Sequence, residues 1–165
     1  MLDSQALQHT LLNGTILSLV LGIIIMGSLR YNARLWLQDY PKPIRDAVPP
    51  LTNTEKRERL VVGIIFMSIL FGMVILEAVQ LRGDGVSFGT AYLHLFTLLL
   101  MFNLFDALVL DLFILALFKP KFAIPNGAEN LAYLFNDYRK HLTDFMKGVV
   151  FCAVGSLPFT LIVIL

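Results

Sequence analysis

Three polar residues, Asn103, Asp106 and Asp111, lie inside the longest apolar run of this chain. Acids in such a run commonly mark a path for protons or cations, or a site for a polar solute. At about 100° of rotation per residue, an α-helix would place Asp106 and Asp111 roughly 140° apart, with Asn103 projecting between them. We therefore expect a broad polar side that faces two neighbouring helices or a wet cavity. Asp106 and Asp111 would carry or bind the transported species, and Asn103 would orient them.

Two other interpretations of these acids stay open. They can be structural, either protonated or hydrogen-bonded to other helices, or they can contact another membrane subunit. In the structural case, Asp111 could pair with a basic residue at the same membrane face: Arg30, Arg34 or Lys147. Glu77 and Gln80 lie at the outer end of the second apolar segment, where an interfacial cap is the simplest interpretation.

A second cluster, Asp137, His141 and Asp144, has the i, i+4, i+7 spacing that projects side chains to one side of a helix. Carboxylates and an imidazole in that arrangement can ligate a metal. A solvated polar face explains the same pattern more simply. No other motif in the sequence calls for a cofactor.

The composition is that of an integral membrane protein. Of 165 residues, 57% are hydrophobic and 15% are charged, whereas soluble domains are near 25% charged. Four segments reach the roughly 20 apolar residues that cross a bilayer: about 11–29, 60–79, 92–118 and 148–165. We expect one all-α domain, residues 1–165, folded as a four-helix bundle in the lipid bilayer. The net charge of +1 argues against nucleic-acid binding.

The basic residues predict the orientation. Residues 30–59 carry seven Lys and Arg and residues 119–147 carry five, whereas residues 80–91 carry one and residues 1–10 carry none. Because positive residues stay on the cytoplasmic side, we expect a multi-pass protein of the inner (plasma) membrane. Both termini would lie outside and the two long connections inside.

The long connections carry signals of local structure. Thr52 and Glu55 have capping-box spacing, which predicts a helix that begins near Asn53. The run Pro125-Asn126-Gly127 predicts a turn. After this turn, apolar residues recur at helical spacing and predict an amphipathic interfacial helix on the inner membrane surface. They are Leu131, Leu134, Phe135, Tyr138, Leu142 and Phe145.

Two stretches resemble a group of small prokaryotic four-span membrane proteins to which no activity is attached. They are NARLWLQDYPKPIRDAVPPLTNTEKRER and DALVLDLFILALFKPKFAIPNGAE, about a third of the chain. In that group the first span precedes an N-P-R-like start, a D-Y-P segment and a Pro-Pro-Thr stretch, and a later span carries two acids ahead of a P-x-F-x-x-P turn. Ala33 stands where that first motif has proline. The resemblance implies that the two acids and the turn at residues 119–125 belong to one architecture.

The expected function is a small transporter or channel-like protein that moves protons, cations or a polar solute past the intramembrane acids. Four helices enclose a narrow pore, so we expect a homo-oligomer or another membrane subunit. The alternative is a non-catalytic accessory or scaffold subunit of a membrane complex. The sequence contains no H-E-x-x-H, G-x-S-x-G or Walker motif and no cysteine pair, so an enzyme that acts on lipid is less favoured. A wet cavity that reaches both aspartates would favour transport, and a dry bundle would favour the structural role.

Overall fold

The computed structural model describes residues 4–165, and every regular element within that range is helical. Four helices are long and apolar enough to cross a membrane, and each predicted apolar segment lies along one of them. The α-helices are α1 Ser4–Tyr31, α2 Lys42–Ala47, α3 Asn53–Gly83, α4 Phe88–Phe105 and α5 Tyr138–Ile164. A π-helical segment, Asp106–Phe118, continues α4, and 3-10 helices cover Ala33–Asp39, Lys121–Ala123 and Glu129–Asn136.

Local signals in the first long connection and the turn are confirmed. The Thr52 hydroxyl accepts a hydrogen bond from the Glu55 backbone N–H (3.2 Å), and the Glu55 carboxylate accepts one from the Thr52 backbone N–H (2.8 Å). This capping box starts α3 at Asn53, as predicted. The turn at residues 125–127 also forms, with a positive φ of 91° at Gly127 that glycine tolerates best.

The π-helical segment is the main departure from the predicted geometry. It ends at Lys119, whose N–H donates to the carbonyl of Ile114, five residues earlier (3.0 Å). Lys119 has a left-handed φ of 47° and precedes Pro120, which cannot continue the helix. Hydrogen bonds that span five residues widen the turn and bring residues five apart onto similar directions. The 140° separation predicted for Asp106 and Asp111 therefore does not apply.

The second long connection also differs from the predicted continuous amphipathic helix. Its apolar stripe is divided between the 3-10 helix Glu129–Asn136 and the first turns of α5. The break lies at Asp137, whose carboxylate accepts a hydrogen bond from the Lys140 backbone N–H (3.1 Å) and so caps α5. From this cap, α5 continues to Ile164, so it begins well before residue 148.

Different connections cover the two ends of the bundle. The loop end carries the two long connections, residues 32–52 and 119–137, and the terminal end carries the short connection, residues 84–87. Both long connections pack into one apolar core at the loop end, where Ile44 and Ala128 are fully buried. The Tyr40 hydroxyl donates to the Ala123 carbonyl (2.6 Å) and so joins the two connections. A second apolar core fills the terminal half.

Candidate functional site: a polar cavity at the loop end

A cavity of about 820 Å³ lies at the loop end, between the bundle and its two long connections. We call it the polar cavity. Its apolar floor is formed by residues of α1, α3 and α4, including Met26, Phe66 and Phe102. Its polar wall comes from both connections, the π-helical segment and the start of α5. The acidic, basic and histidine residues that line it are Asp39, Lys42, Arg45, Asp106, Asp111, Asp137, Lys140, His141 and Asp144.

Asp106 and Asp111 both line the polar cavity. The π-helical hydrogen bonding explains how one wall can hold two acids that an α-helix would turn apart. Asp106 begins the segment and is half-buried. Within residues 4–165, no N–H or O–H group donates a hydrogen bond to its carboxyl group, and the nearby charges that act on it are those of the acids Asp111 and Asp39. An unneutralised acid in this position favours a cationic ligand or a bound proton.

Asp111 is paired with His141, so the two clusters singled out from the sequence meet in one site. The His141 Nδ1 atom lies 3.4 Å from an Asp111 carboxylate oxygen. The other ring nitrogen, Nε2, lies 2.8 Å from the Phe135 carbonyl. That carbonyl can only accept a hydrogen bond, so Nε2 carries a proton when the bond forms. The side chain of His141 is 11% exposed and that of Asp111 is 29% exposed, which leaves the carboxylate accessible from the cavity.

The three basic residues considered as partners of Asp111 are occupied elsewhere. Arg34 forms an ion pair with Glu55 (2.7 Å) and also donates to the carbonyls of the adjacent Pro49 and Pro50. Lys147 pairs with Asp144 (3.0 Å). The Arg30 guanidinium stacks over an aromatic ring of the second connection, Phe122. Lys147 therefore neutralises another acid of the cavity, Asp144, and none of the three basic residues pairs with Asp111.

Asn103 is not among the residues that line the polar cavity. Its side-chain amide faces α5 and donates a hydrogen bond to the carbonyl of Phe145 (3.2 Å). Gly148, one turn further along α5, provides the space for this amide. The Asn103 side chain therefore forms no hydrogen bond with either of the two acids that it was expected to orient. It instead holds α4 against α5.

The proposed metal ligands are not gathered around one point. Asp137 caps α5, Asp144 is bound by Lys140 (2.5 Å) and Lys147, and His141 turns to Asp111. Within the described part of the chain, no group of three or more His, Cys, Asp or Glu side chains could hold a metal ion. The helical spacing was present, but competing hydrogen bonds direct these side chains apart.

Asp39 is a member of this site that the sequence analysis did not single out. It lies at the exposed rim, and loss of surrounding water raises the pKa of its carboxyl group. A hydrogen bond from Gln38 and the charge of Lys140 lower this pKa, while the charges of Asp111 and Asp144 raise it further. The available signal was the D-Y-P segment, which carries part of the resemblance and places Asp39 beside the buried Tyr40.

Scans of the chain against protein-family models, curated proteins and solved structures each found no match.

Proposed function

We propose that this protein is a small transporter of protons, cations or a small polar solute, with the polar cavity as its binding chamber. The observation that carries the proposal is a cavity of about 820 Å³ that reaches both Asp106 and Asp111. Ligand sites commonly measure about 300–1,000 Å³. The chamber is therefore large enough for a small organic solute as well as for water and ions.

The charge balance of the chamber favours a positively charged species. Five carboxylates line it, against three Lys and Arg side chains and one histidine. Lys140 is already paired with Asp144, and Lys42 is paired with Asp46 (3.0 Å), which does not line the cavity. Asp39, Asp106 and Asp137 are left without a paired cation among the described residues. Unpaired acids beside a chamber with an apolar floor attract cations or take up protons.

The chamber is closed towards the terminal end. The rings of Phe66 and Phe102 lie at its floor with centroids 5.7 Å apart. Beyond them, Leu17, Leu21 and Leu98 are fully buried. A solute larger than a proton could cross only after these groups separate, so the structure corresponds to a chamber open at one end.

For the membrane arrangement, we propose that the four long helices cross the inner membrane with the loop end in the cytoplasm. The uneven distribution of Lys and Arg supports this orientation. Tyr133, Tyr138 and Leu142 are more than 60% exposed near the loop end. Aromatic and apolar side chains there fit the membrane–water interface. We therefore expect the divided amphipathic stripe to lie at that interface, and association with a second copy or another subunit remains part of the proposal.

Proton and cation flux in proteoliposomes tests this function. We expect flux in the wild type and its loss in Asp106→Asn and Asp111→Asn, because both substitutions remove a group that can bind a proton or a cation. Glu58→Gln is the control, because neither Glu58 nor its hydrogen-bond partner Tyr31 lines the chamber and glutamine keeps an acceptor for the Tyr31 hydroxyl. Thermal melting in detergent would show that each variant is folded.

The same experiment distinguishes the accessory-subunit alternative. An absence of flux in the wild type, together with strong destabilisation of both chamber variants, would make the acids structural. Flux that is equal in the wild type and both chamber variants would place the transport path elsewhere.

A further inference from the structure

A second buried polar cluster lies at the terminal end, away from the polar cavity. It consists of Thr10 on α1, Glu77 on α3 and His94 on α4, which are 0%, 1% and 1% exposed. Each residue is six positions inside the end of its helix, which corresponds to about 9 Å at 1.5 Å per residue. Three helices therefore bring a hydroxyl, a carboxylate and an imidazole together at one depth.

The Thr10 hydroxyl is the centre of this cluster. It hydrogen-bonds a carboxylate oxygen of Glu77 and lies 2.5 Å from Nδ1 of His94. It also approaches the Ala6 carbonyl of its own helix (3.1 Å). The second carboxylate oxygen of Glu77 accepts a hydrogen bond from the Asn13 amide (2.6 Å). The remaining ring nitrogen of His94, Nε2, is buried without a hydrogen-bond partner among the described residues.

The hydrogen-bond inventory restricts where protons can lie. A threonine hydroxyl donates one hydrogen bond and can accept two. If Thr10 donates to Glu77, then His94 must donate from Nδ1. If Thr10 donates to His94 or to its own helix, then Glu77 must be protonated in order to donate to Thr10. The cluster can therefore exchange a proton between carboxylate and imidazole through a hydroxyl that reorients.

Burial adds a preference for a particular total charge. An ionised Glu77 beside a neutral His94 leaves one negative charge out of water, which is costly unless it is compensated. One additional proton removes this net charge, whether it resides on Glu77 or on His94. We infer that Thr10, Glu77 and His94 form a proton-binding site that takes up and releases one proton at the terminal end of the bundle.

Few other groups near this cluster could take up and release a proton. Within residues 4–165, the remaining titratable or charged side chains of the terminal end are His9, Arg82, Asp84 and Tyr92. His9, Arg82 and Asp84 are exposed, and the charge of Asp84 acts on His94. The Tyr92 hydroxyl donates to a carbonyl of α5 (3.3 Å). Helix α5 has no charged side chain between residues 148 and 165.

The position of the site gives it a role if the proposed transport function holds. His94 and Asp106 are twelve residues apart along one continuous helix, or roughly 18 Å. The apolar core of the terminal half separates them. Proton uptake at one end and ligand binding at the other could then be coupled across this core. The proton-binding site itself does not depend on transport.

The test is a pH titration of the histidine side chains by ¹⁵N NMR, with the full chain in lipid nanodiscs. The chain has only three histidines, and His94→Gln assigns the relevant signal. We expect His94 to change its protonation or tautomer reversibly within roughly pH 4–10. Glu77→Gln keeps an acceptor for Thr10 but cannot ionise. In this variant the proton affinity of His94 should fall at least about tenfold, or one pH unit.

Two substitutions at Thr10 separate proton exchange from packing. Thr10→Ser keeps the hydroxyl and should preserve the wild-type titration. Thr10→Val keeps the shape but removes the hydroxyl that joins Glu77 to His94, so the titration of His94 should move towards that of Glu77→Gln. A His94 signal that does not change with pH in the folded wild type would overturn the inference. So would identical titrations in the wild type, Glu77→Gln and Thr10→Val.

Flux measured on the same preparations keeps the two proposals distinguishable. Flux without titration of His94 would refute the proton-binding site and leave the polar cavity as the transport chamber. Titration without proton or cation flux would refute proton and cation transport and leave the proton-binding site in place.

Discussion

The contact between Gly148 and Asn103 gives a sharp test of how α4 and α5 pack beside the polar cavity. A methyl group added at Gly148 would overlap the side-chain amide of Asn103. Asn103 can relieve the overlap only by turning away, which breaks its hydrogen bond to the Phe145 carbonyl. Gly148→Ala should therefore destabilise the protein even though alanine is the better helix former.

Two unfavourable contributions and one favourable contribution determine the size of this destabilisation. Overpacking costs about 1–3 kcal/mol, and loss of the Asn103 hydrogen bond costs about 0.5–1.5 kcal/mol. The higher helix propensity of alanine offsets about 1 kcal/mol of this. A net loss of about 2 kcal/mol in the free energy of unfolding is expected. Gly155 is the control, because a methyl group added there meets nothing within 4 Å.

Reversible unfolding in mixed detergent micelles would measure both variants. Gly148→Ala should lower the free energy of unfolding relative to the wild type, and Gly155→Ala should leave it unchanged or raise it. If both substitutions had the same effect, α5 would not pack against Asn103 as the structure places it.

Two further predictions concern the long connections. Tyr40→Phe removes the buried hydrogen bond that joins them and should lower the free energy of unfolding by about 1–3 kcal/mol. Tyr133→Phe is the control and should be neutral, because Tyr133 is exposed. Equal free energies of unfolding for the two variants would contradict the link between the connections. Asp39→Asn should raise stability at neutral pH, because the folded protein raises the pKa of Asp39 above 3.8 and so disfavours its charged form. This gain should disappear as the pH falls towards 3.8, and a gain that grew on acidification would refute the direction of the shift.

The helices were predictable because their signals are local. Long apolar runs indicate four helices, and Thr52 with Glu55 determines the start of α3 whatever the rest of the chain does. The shared location of Asp106 and Asp111 was not predictable from α-helical spacing. It depends on a change of backbone hydrogen bonding at residue 106 that hydropathy does not encode.

Contacts between distant elements were the other missing information. The sequence predicted a metal-ligating face or a solvated face for His141, but not its pairing with Asp111. Glu77 was interpreted as an interfacial cap, whereas the structure buries it against Thr10 and His94. In each case, the partner lies on another helix and can be found only after the bundle is packed.

The transport proposal requires that water reach Asp106 and Asp111, on the π-helical segment, through the polar cavity from the side of the long connections. Sided cysteine labelling tests it most directly, in a Cys152→Ser background that removes the only native cysteine. Met26→Cys would place a thiol at the floor of the cavity. Ile23→Cys would place a thiol elsewhere on the same helix, at a residue that is 71% exposed and that faces lipid if the helix spans the membrane. We expect a membrane-impermeant maleimide to label position 26 only from the cytoplasmic side and position 23 from neither side. Absence of labelling at position 26, or labelling from the opposite side, would contradict the account.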